Sequence, residues 1–454
     1  MRRLIKIGVL FLVVVLLLIT SCNTKKIDSI GKTSITKWQK DKVAAISLTF
    51  DDGTINQFTV ARPIMNKLDF PGTFYIITGK VNGSAKGKFI GRPYSEIIKE
   101  SAQVKTDATN FFERASAIGF IGDGEAIDYH SNSGALFESG KLDEAYDLID
   151  QGYEKIRNME INIPDEVVFH DNKVVDTTTW EDFKDYTREG HEIASHTVTH
   201  PRLAVLDDVN MLYELEQSKA DIQKFLGEEY TFSAECPYGT EDERVMEYAY
   251  NIYPSLRNRM PEPYLEELNR GSDIDPRSLN KEYVQWQRGA LTNTSMEAMK
   301  SWVEKSIDRD NIWLVLVFHG VDNIGWEPKT GDELEEYFSY IKEKEKQLWV
   351  ATFADVSKYM KERMNAVISS KVNDDLIEVN ISSHLNVKIY NVPLTVKTYV
   401  PGSWQSIKID YKSANKNSTI LKPLQDELGN YVLYDVLPYG DNILLSDSNS
   451  ARDN

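Results

Sequence analysis

The sequence predicts an α/β fold built on a parallel sheet, followed by a small antiparallel β domain. Three observations carry that expectation. Short, nearly continuous apolar runs, as expected of strands buried on both faces, recur at residues 43–50, 72–78, 191–196, 231–234, 312–318 and 348–352. Amphipathic segments at 57–67, 180–189 and 241–250 are interleaved with them, a βαβ rhythm that calls for parallel strands. After Arg363 the hydrophobic period changes to two at residues 376–381, 385–389 and 394–398, with Pro393, Pro401-Gly402 and residues 415–417 as turns. That change marks a separate β domain, most simply a sandwich.

Taken in order, the first segment reads as an address. Arg2, Arg3 and Lys6 precede an unbroken apolar run from Ile7 to Ile19, which suits a secretory leader and falls short of the ~20 residues that span a bilayer. The run ends in Ile19-Thr20-Ser21-Cys22, which resembles the lipobox of bacterial lipoproteins. That resemblance implies a signal peptide over residues 1–21 and lipidation of Cys22. The chain would then be lipid-anchored to a bacterial membrane, on its extracytoplasmic (periplasmic or cell-surface) side. An ordinary cleaved signal or a short anchor helix is the alternative. Residues 22–40, polar and rich in Lys, Ser and Thr, read as a tether. Between residues 79 and 173 the βαβ rhythm breaks. Residues 94–117 and 134–158 look helical with charges on one face, a largely helical insertion that serves either as a lid or as decoration. The polar residues 446–454 read as a disordered end.

Asp and Glu (70) outnumber Lys and Arg (52), for a net charge of −18. Binding to a phosphate backbone rests on Lys/Arg neutralisation, so nucleic acid is excluded as the main partner, and a neutral or cationic substrate is easier to accommodate. The 454 residues suggest two or three domains. With 41% hydrophobic and 11% aromatic residues the chain can bury a core, which excludes wholesale disorder. Two cysteines cannot staple such a chain; once Cys22 is lipidated, Cys236 is a free thiol, read as a small buried hydrophobe.

Three clusters carry chemistry. His196 and His200, two of seven histidines, stand four residues apart, a spacing that lets both imidazoles face one point on a helical turn and so chelate one metal. No Glu follows the first His, which excludes the metalloprotease helix; a solvated helical face would show the same spacing. Asp51-Asp52-Gly53 ends the first apolar run, where loops of α/β folds carry active sites. Adjacent carboxylates leave a strand end in different directions, so one can bind a metal while the other takes a proton from water. A helix cap or Asx turn would account for a single Asp-Gly. His319 follows the run 312–318 and stands at the same sheet edge, where it can act as a general acid or serve structure alone.

In chain order, Thr-Phe-Asp-Asp-Gly (49–53), Gly-His-Glu-Ile-Ala-Ser (190–195), His-Thr-Val-Thr-His (196–200), Pro-Tyr-Gly (237–239) and Leu-x-x-His (316–319) together resemble the polysaccharide deacetylase family with the NodB homology domain, carbohydrate esterase family four. The resemblance covers about residues 42–362 apart from the insertion. It implies a distorted (β/α) barrel over residues 41–366, carrying the helical insertion at about 82–172. The sandwich-like β domain then occupies 367–446 and the disordered tail 447–454. The resemblance further implies one divalent metal ion, usually zinc, with cobalt, nickel or manganese able to substitute. Asp52, His196 and His200 match the metal ligands, Asp51 the catalytic base and His319 the catalytic acid. The backbone N–H of Tyr238 would face the oxyanion, Leu316 would line the acetyl-methyl pocket, and Trp286 is the candidate for a tryptophan common beside it. The implied activity is removal of N- or O-linked acetyl groups from an acetylated polysaccharide outside the cytoplasm.

Two departures stand out. The family's third motif begins with an arginine that pairs with the base, whereas here the run is Glu235-Cys236-Pro237-Tyr238-Gly239. A glutamate would repel Asp51, so either it turns away and Arg257, Arg259, Arg277 or Arg288 takes over, or the base is tuned differently. The fourth motif, an Asp and a Trp that orient the acid histidine, has only Asp273, Asp275 and Trp286 as candidates. These departures leave room for a non-catalytic carbohydrate-binding lipoprotein that retained the metal site; Trp404 and Tyr399 of the β domain either stack on sugars or, as is commoner in such a domain, belong to its core. An amidase acting on a non-carbohydrate C–N bond is the third reading.

Overall fold

The computed structural model describes residues 29–448 apart from 123, 164–177, 240–241, 258–264 and 413–417. The signal peptide, Cys22, Arg259 and residues 449–454 of the expected tail lie outside the described residues. Among the described residues no helix is long and apolar enough to cross a membrane. They divide into two units, one of residues 44–357 and one of residues 29–43 with 358–448.

A short first strand, β1 (Thr33–Ile35), belongs to the smaller unit. The larger unit is built on β2 (Ala44–Phe50), β3 (Thr73–Ile76), β4 (Glu192–Ser195), β5 (Ser233–Ala234), β6 (Ser255–Leu256), β7 (Leu265–Leu268), β8 (Tyr283–Gly289), β9 (Ile312–Phe318) and β10 (Leu348–Val350). Every pairing in this sheet is parallel, in the order β6-β5-β4-β3-β2-β9-β8-β7. β10 shares with β3 the edge of β2 that β9 leaves free. With helices following the strands, this is the expected distorted (β/α) barrel, open between β6 and β7 among the described residues.

Six of the nine strands match the apolar runs. β8 escaped because its inner face is polar: Gln285 and Gln287 are fully buried there and donate to the carbonyl of Arg257. β6 and β7 are too short to show a period. The period-two pleat sorts the other strands. Ile46, Leu48 and Phe50 of β2 and Leu314, Leu316 and Phe318 of β9 join the apolar cluster that includes helix residues Phe58, Met65, Leu334 and Phe338. Each such side chain contributes roughly 1.5–3 kcal/mol by leaving water. Ser47 and Thr49 point the other way, into the barrel, and Asp51 continues their alternation at the strand end.

The insertion is helical as expected, though in shorter pieces. Helices Tyr94–Ser101, Phe111–Gly119, Gly124–Glu138 and Leu142–Arg157 pack around Ile97, Phe111, Ile118, Ile149 and Tyr153. The segment read as one helix over 94–117 breaks at residues 102–110, where Asp150 accepts from the backbone and hydroxyl of Thr106.

The smaller unit holds two antiparallel sheets formed by β1 and by β11 (Val367–Asn373), β12 (Leu376–Ser382), β13 (Leu394–Tyr399), β14 (Ile407–Tyr411), β15 (Thr419–Leu421), β16 (Leu424–Asp426), β17 (Gly429–Val436) and β18 (Tyr439–Asp447). Their orders are β1-β13-β17-β16 and β11-β12-β18-β14-β15, and alternate residues are buried, as in a sandwich layer. Three expectations need correcting. The tether read over 22–40 is partly folded: Thr33–Ile35 pairs with Thr398–Val396, and Trp38 is fully buried. Residues 385–389 form a turn instead of a strand, because the Asn386 side chain accepts from Lys388 N–H and its carbonyl from Ile389 and Tyr390. Ser446 and Asp447 belong to β18 and not to a tail. Of the two readings of Trp404 and Tyr399, burial favours the core: neither offers an open face to a sugar.

Candidate active site

The C-terminal ends of β2, β4, β5 and β9 open into a cavity of about 700 Å³ walled by Asp51, Asp52, His196, His200, Glu235 and His319, among others. The expected ligands converge there. His196 Nε2 lies 3.6 Å and His200 Nε2 3.4 Å from Asp52 Oδ1. Donors bound to one tetrahedral zinc at ~2.0–2.1 Å stand ~3.3 Å apart, so this triad fits a small divalent cation. The orientation is fixed from behind: His196 Nδ1 donates to the carbonyl of Glu235 at 3.0 Å and lies 2.9 Å from its carboxylate, leaving Nε2 to face Asp52.

The backbone is bent to make this possible. Asp52, Thr197, His200 and Tyr238 have φ of 74°, 65°, 64° and 63°, left-handed values for residues other than glycine. Each costs roughly 1–3 kcal/mol, and such strain gathers at functional sites. The His-x-x-x-His spacing is therefore met by a strained turn and not by a helix. Buried Glu214, on the helix Asp208–Phe225, holds that turn: its carboxylate accepts from Val198 N–H, Thr199 N–H and the Thr199 hydroxyl, each at 2.8 Å. Glu214→Ala should lower metal affinity about 10–100-fold with the helical circular-dichroism signal intact. A competition titration against a chelator measures this, and unchanged affinity would show that the turn stands by itself.

Asp51 sits deeper. Arg257, at the end of β6, donates to both its carboxylate oxygens, at 2.5 and 2.8 Å, and to Thr49 Oγ1 at 3.1 Å. Glu235 does not turn away. Its carboxylate bridges Arg257 Nη2 at 2.9 Å and His196 Nδ1 at 2.9 Å. Of the four arginines considered from sequence, Arg257 thus takes the place of the motif arginine, and Glu235 becomes its second anion. Burial pushes the Glu235 carboxyl up, but Arg257 and His196 hold it well below the usual range. His319 Nε2 lies 3.3 Å from Asp51 Oδ2, and its ring packs edge-on against exposed Trp326 at 4.7 Å. Burial lowers the proton affinity of His319, with Asp51 opposing. Gln57, fully buried, donates to the carbonyls of both Asp51 and His319, tying the two strand ends together.

The histidines titrate apart. Burial disfavours charge on His196, yet Glu235 and Asp52 push it up to about 10, whereas burial and the neighbouring His196 push His200 down to about 4. At neutral pH His196 is then the charged imidazole, and a metal ion bound at its Nε2 would displace that proton. Metal uptake should release about one proton at pH 8, and affinity should rise about tenfold per pH unit up to about pH 10. Calorimetry in buffers of different protonation enthalpy counts that proton; uptake without release would contradict this protonation state.

Four expected residues fall elsewhere. Leu316 is fully buried in the cluster beneath the helices, because it stands three residues from His319 and so points to the opposite face of β9. Trp286 lies in the same cluster with Arg288 over its ring at 4.8 Å. Asp275 is taken by Arg277, and Asp273 is exposed. The cavity walls instead include Trp326, Leu291, Arg202 and Arg270. Tyr238 is at the cavity as expected, its ring 4.9 Å from that of His200, under the guanidinium of Arg202 at 4.6 Å, its hydroxyl accepting from Ser131. The insertion helix Gly124–Glu138 thus braces the rim: besides Ser131, it supplies Glu138 to pair with Arg202, and His130 Nε2 to accept from Arg202 N–H. Cys236 is buried and in no disulfide among the described residues.

A family model described as polysaccharide deacetylase matches residues 160–252. A gellan lyase from Bacillus sp is 26% identical over 233 residues, 48% of this chain; the chain spans only 9% of that protein's length. Among solved structures, a putative polysaccharide deacetylase from Mycobacterium smegmatis is similar at 11% identity and a TM-score of 0.35, over 73% of this chain and 94% of that one. The family 4 carbohydrate esterase PdaA of Bacillus subtilis is similar at 12% identity and a TM-score of 0.31, over 75% and 88%.

Proposed function

We propose that this chain, which carries a polysaccharide deacetylase domain matched over residues 160–252, is a metal-dependent hydrolase that removes acetyl groups from a polysaccharide outside the cytoplasm. The observation that carries the reading is the convergence of Asp51, Asp52, His196, His200 and His319 on one cavity. Asp52, His196 and His200 would hold the cation; their N₂O donor set suits zinc, and tolerates cobalt, nickel or manganese. When bound, the ion supplies positive charge that polarises an acetyl carbonyl and acidifies a water. Asp51 takes the water's proton, with Arg257 as its bidentate counter-charge. Tyr238 N–H donates to the developing oxyanion. His319, whose Nε2 lies 3.3 Å from Asp51, relays the proton that Asp51 took from the water to the departing sugar nitrogen or oxygen. With Leu316 in the core, Leu291 and Trp326 are the apolar groups available to the acetyl methyl and the sugar.

The same reading extends to location: the basic, apolar and cysteine run over residues 2–22 supports a lipid on Cys22 and an extracytoplasmic site of action. The test is acetate release by the full chain, purified in detergent, from a panel of N- and O-acetylated glycans, with and without zinc or cobalt. Release that depends on metal supports the proposal. No release from any glycan, with one metal bound per chain, would overturn it in favour of a binding protein.

A further inference from the structure

Arg270 follows β7 and lines the cavity beside Gly271, Gly289 and Leu291. Its position is built. Arg288 on β8 donates to the carbonyls of Arg270 at 3.0 Å and Ser272 at 2.8 Å, clamping the loop. The side chain passes over Gly289, where a β-carbon would lie 3.6 Å from Arg270 Cδ. Among the described residues no carboxylate forms an ion pair with its guanidinium. The other cavity arginines are committed: Arg202 to Glu138, and Arg257 to Asp51 and Glu235.

The local charges then decide what the cavity accepts. Asp51, Asp52 and Glu235 bring three negative charges; Arg257 and a divalent ion cancel them. Arg202 and Glu138 cancel each other. Arg270, which acts on Glu235 only through space, remains among the described residues as a fork-shaped cation without an ion-pair partner, and its donors match a carboxylate bidentately. The chain's overall −18 favours a neutral or cationic partner only on average, since charges more than ~10 Å away are largely screened.

We propose that Arg270 binds a carboxylate borne by the sugar chain, so that the substrate is an acidic acetylated glycan. This rests on the deacetylase reading and narrows it. The carboxylate could sit on the sugar ring, as in a uronate, or on an ether-linked substituent; the chemistry that Arg270 reads is the same.

The test compares the metal-loaded full chain with Arg270→Gln on acetylated uronate oligosaccharides, on the same oligosaccharides after carboxyl reduction, and on acetylated oligosaccharides carrying an ether-linked carboxylate. KM for an acidic substrate should rise about 10–100-fold in the variant, with kcat held and the carboxyl-reduced substrate unaffected. Whichever acidic arm shows the effect names the source of the carboxylate. An equal loss of kcat on acidic and reduced substrates would overturn the proposal and place Arg270 against the oxyanion. Calorimetric binding of the same oligosaccharides separates this from failure of the parent reading. If no acetate is released but acid-selective binding is lost in Arg270→Gln, the deacetylase reading fails and the carboxylate site stands. Binding indifferent to both carboxyl reduction and Arg270→Gln sinks the site itself.

Discussion

Arg257→Met should abolish measurable acetate release and destabilise the larger unit by about 3–5 kcal/mol. Arg257 is fully buried, donates to both oxygens of Asp51 and pairs with Glu235. Its guanidinium also lies 5.0 Å from the ring centroid of Tyr75, and its carbonyl takes the amides of Gln285 and Gln287. Without the cation, two carboxylates that are each only 2% exposed face one another. Such a pair cannot stay doubly ionised in a dry interior, so one must take up a proton, and the candidate base is compromised. Arg257→Lys keeps the charge but not the fork, and should fall between wild type and Met. Combining Arg257→Met with Glu235→Gln removes one orphaned charge and should recover part of the stability but none of the activity. Glu235→Arg, which restores the motif as it looks from sequence, sets a second cation against Arg257 and His196 and should itself destabilise. Urea unfolding and turnover on one active glycan measure all four; a stable, active Arg257→Met protein would remove Arg257 from the mechanism.

The second large effect separates base from acid. Asp51→Asn and His319→Ala should each lower kcat by about 10²–10⁴ on a natural acetylated glycan. Metal content should stay at one per chain in both, since neither residue belongs to the Asp52, His196, His200 triad. Their responses to the leaving group should differ. An aryl acetate departs as a stable phenolate and needs no proton, so His319→Ala should lose far less on it, whereas Asp51→Asn should lose as much as before. Equal losses of His319→Ala on both substrates would assign His319 to positioning Asp51, from which its Nε2 stands 3.3 Å away.

Much of the site is legible because it lies at strand ends. The run from Val43 to Phe50 is apolar enough to be a strand, and the Asp-Asp pair that follows must fall at its C-terminal end. The four-residue spacing of His196 and His200 already suggested convergence, although a strained turn held by Glu214 achieves it where a helix had seemed natural. Strand parity, properly applied, also speaks against Leu316: three residues from His319, it cannot share that residue's face of β9.

What the sequence by itself determined was the set of groups that a chain segment delivers without help: six of the nine parallel strands, their order along the chain, the carboxylate pair, the two ligand histidines and the histidine after β9. Covalent spacing and the period-two pleat specify these, since both act over a few residues. Only the tertiary structure decided which distant cation meets Asp51, why a glutamate is tolerated at 235, and that Arg270 lines the cavity without an ion-pair partner among the described residues. Arg257 is 206 positions from Asp51 in the chain, and no local pattern distinguishes it from Arg277 or Arg288. The pairing of buried charges is chosen by desolvation, which penalises every arrangement except the one that brings them together. That choice exists only once the barrel has formed around them.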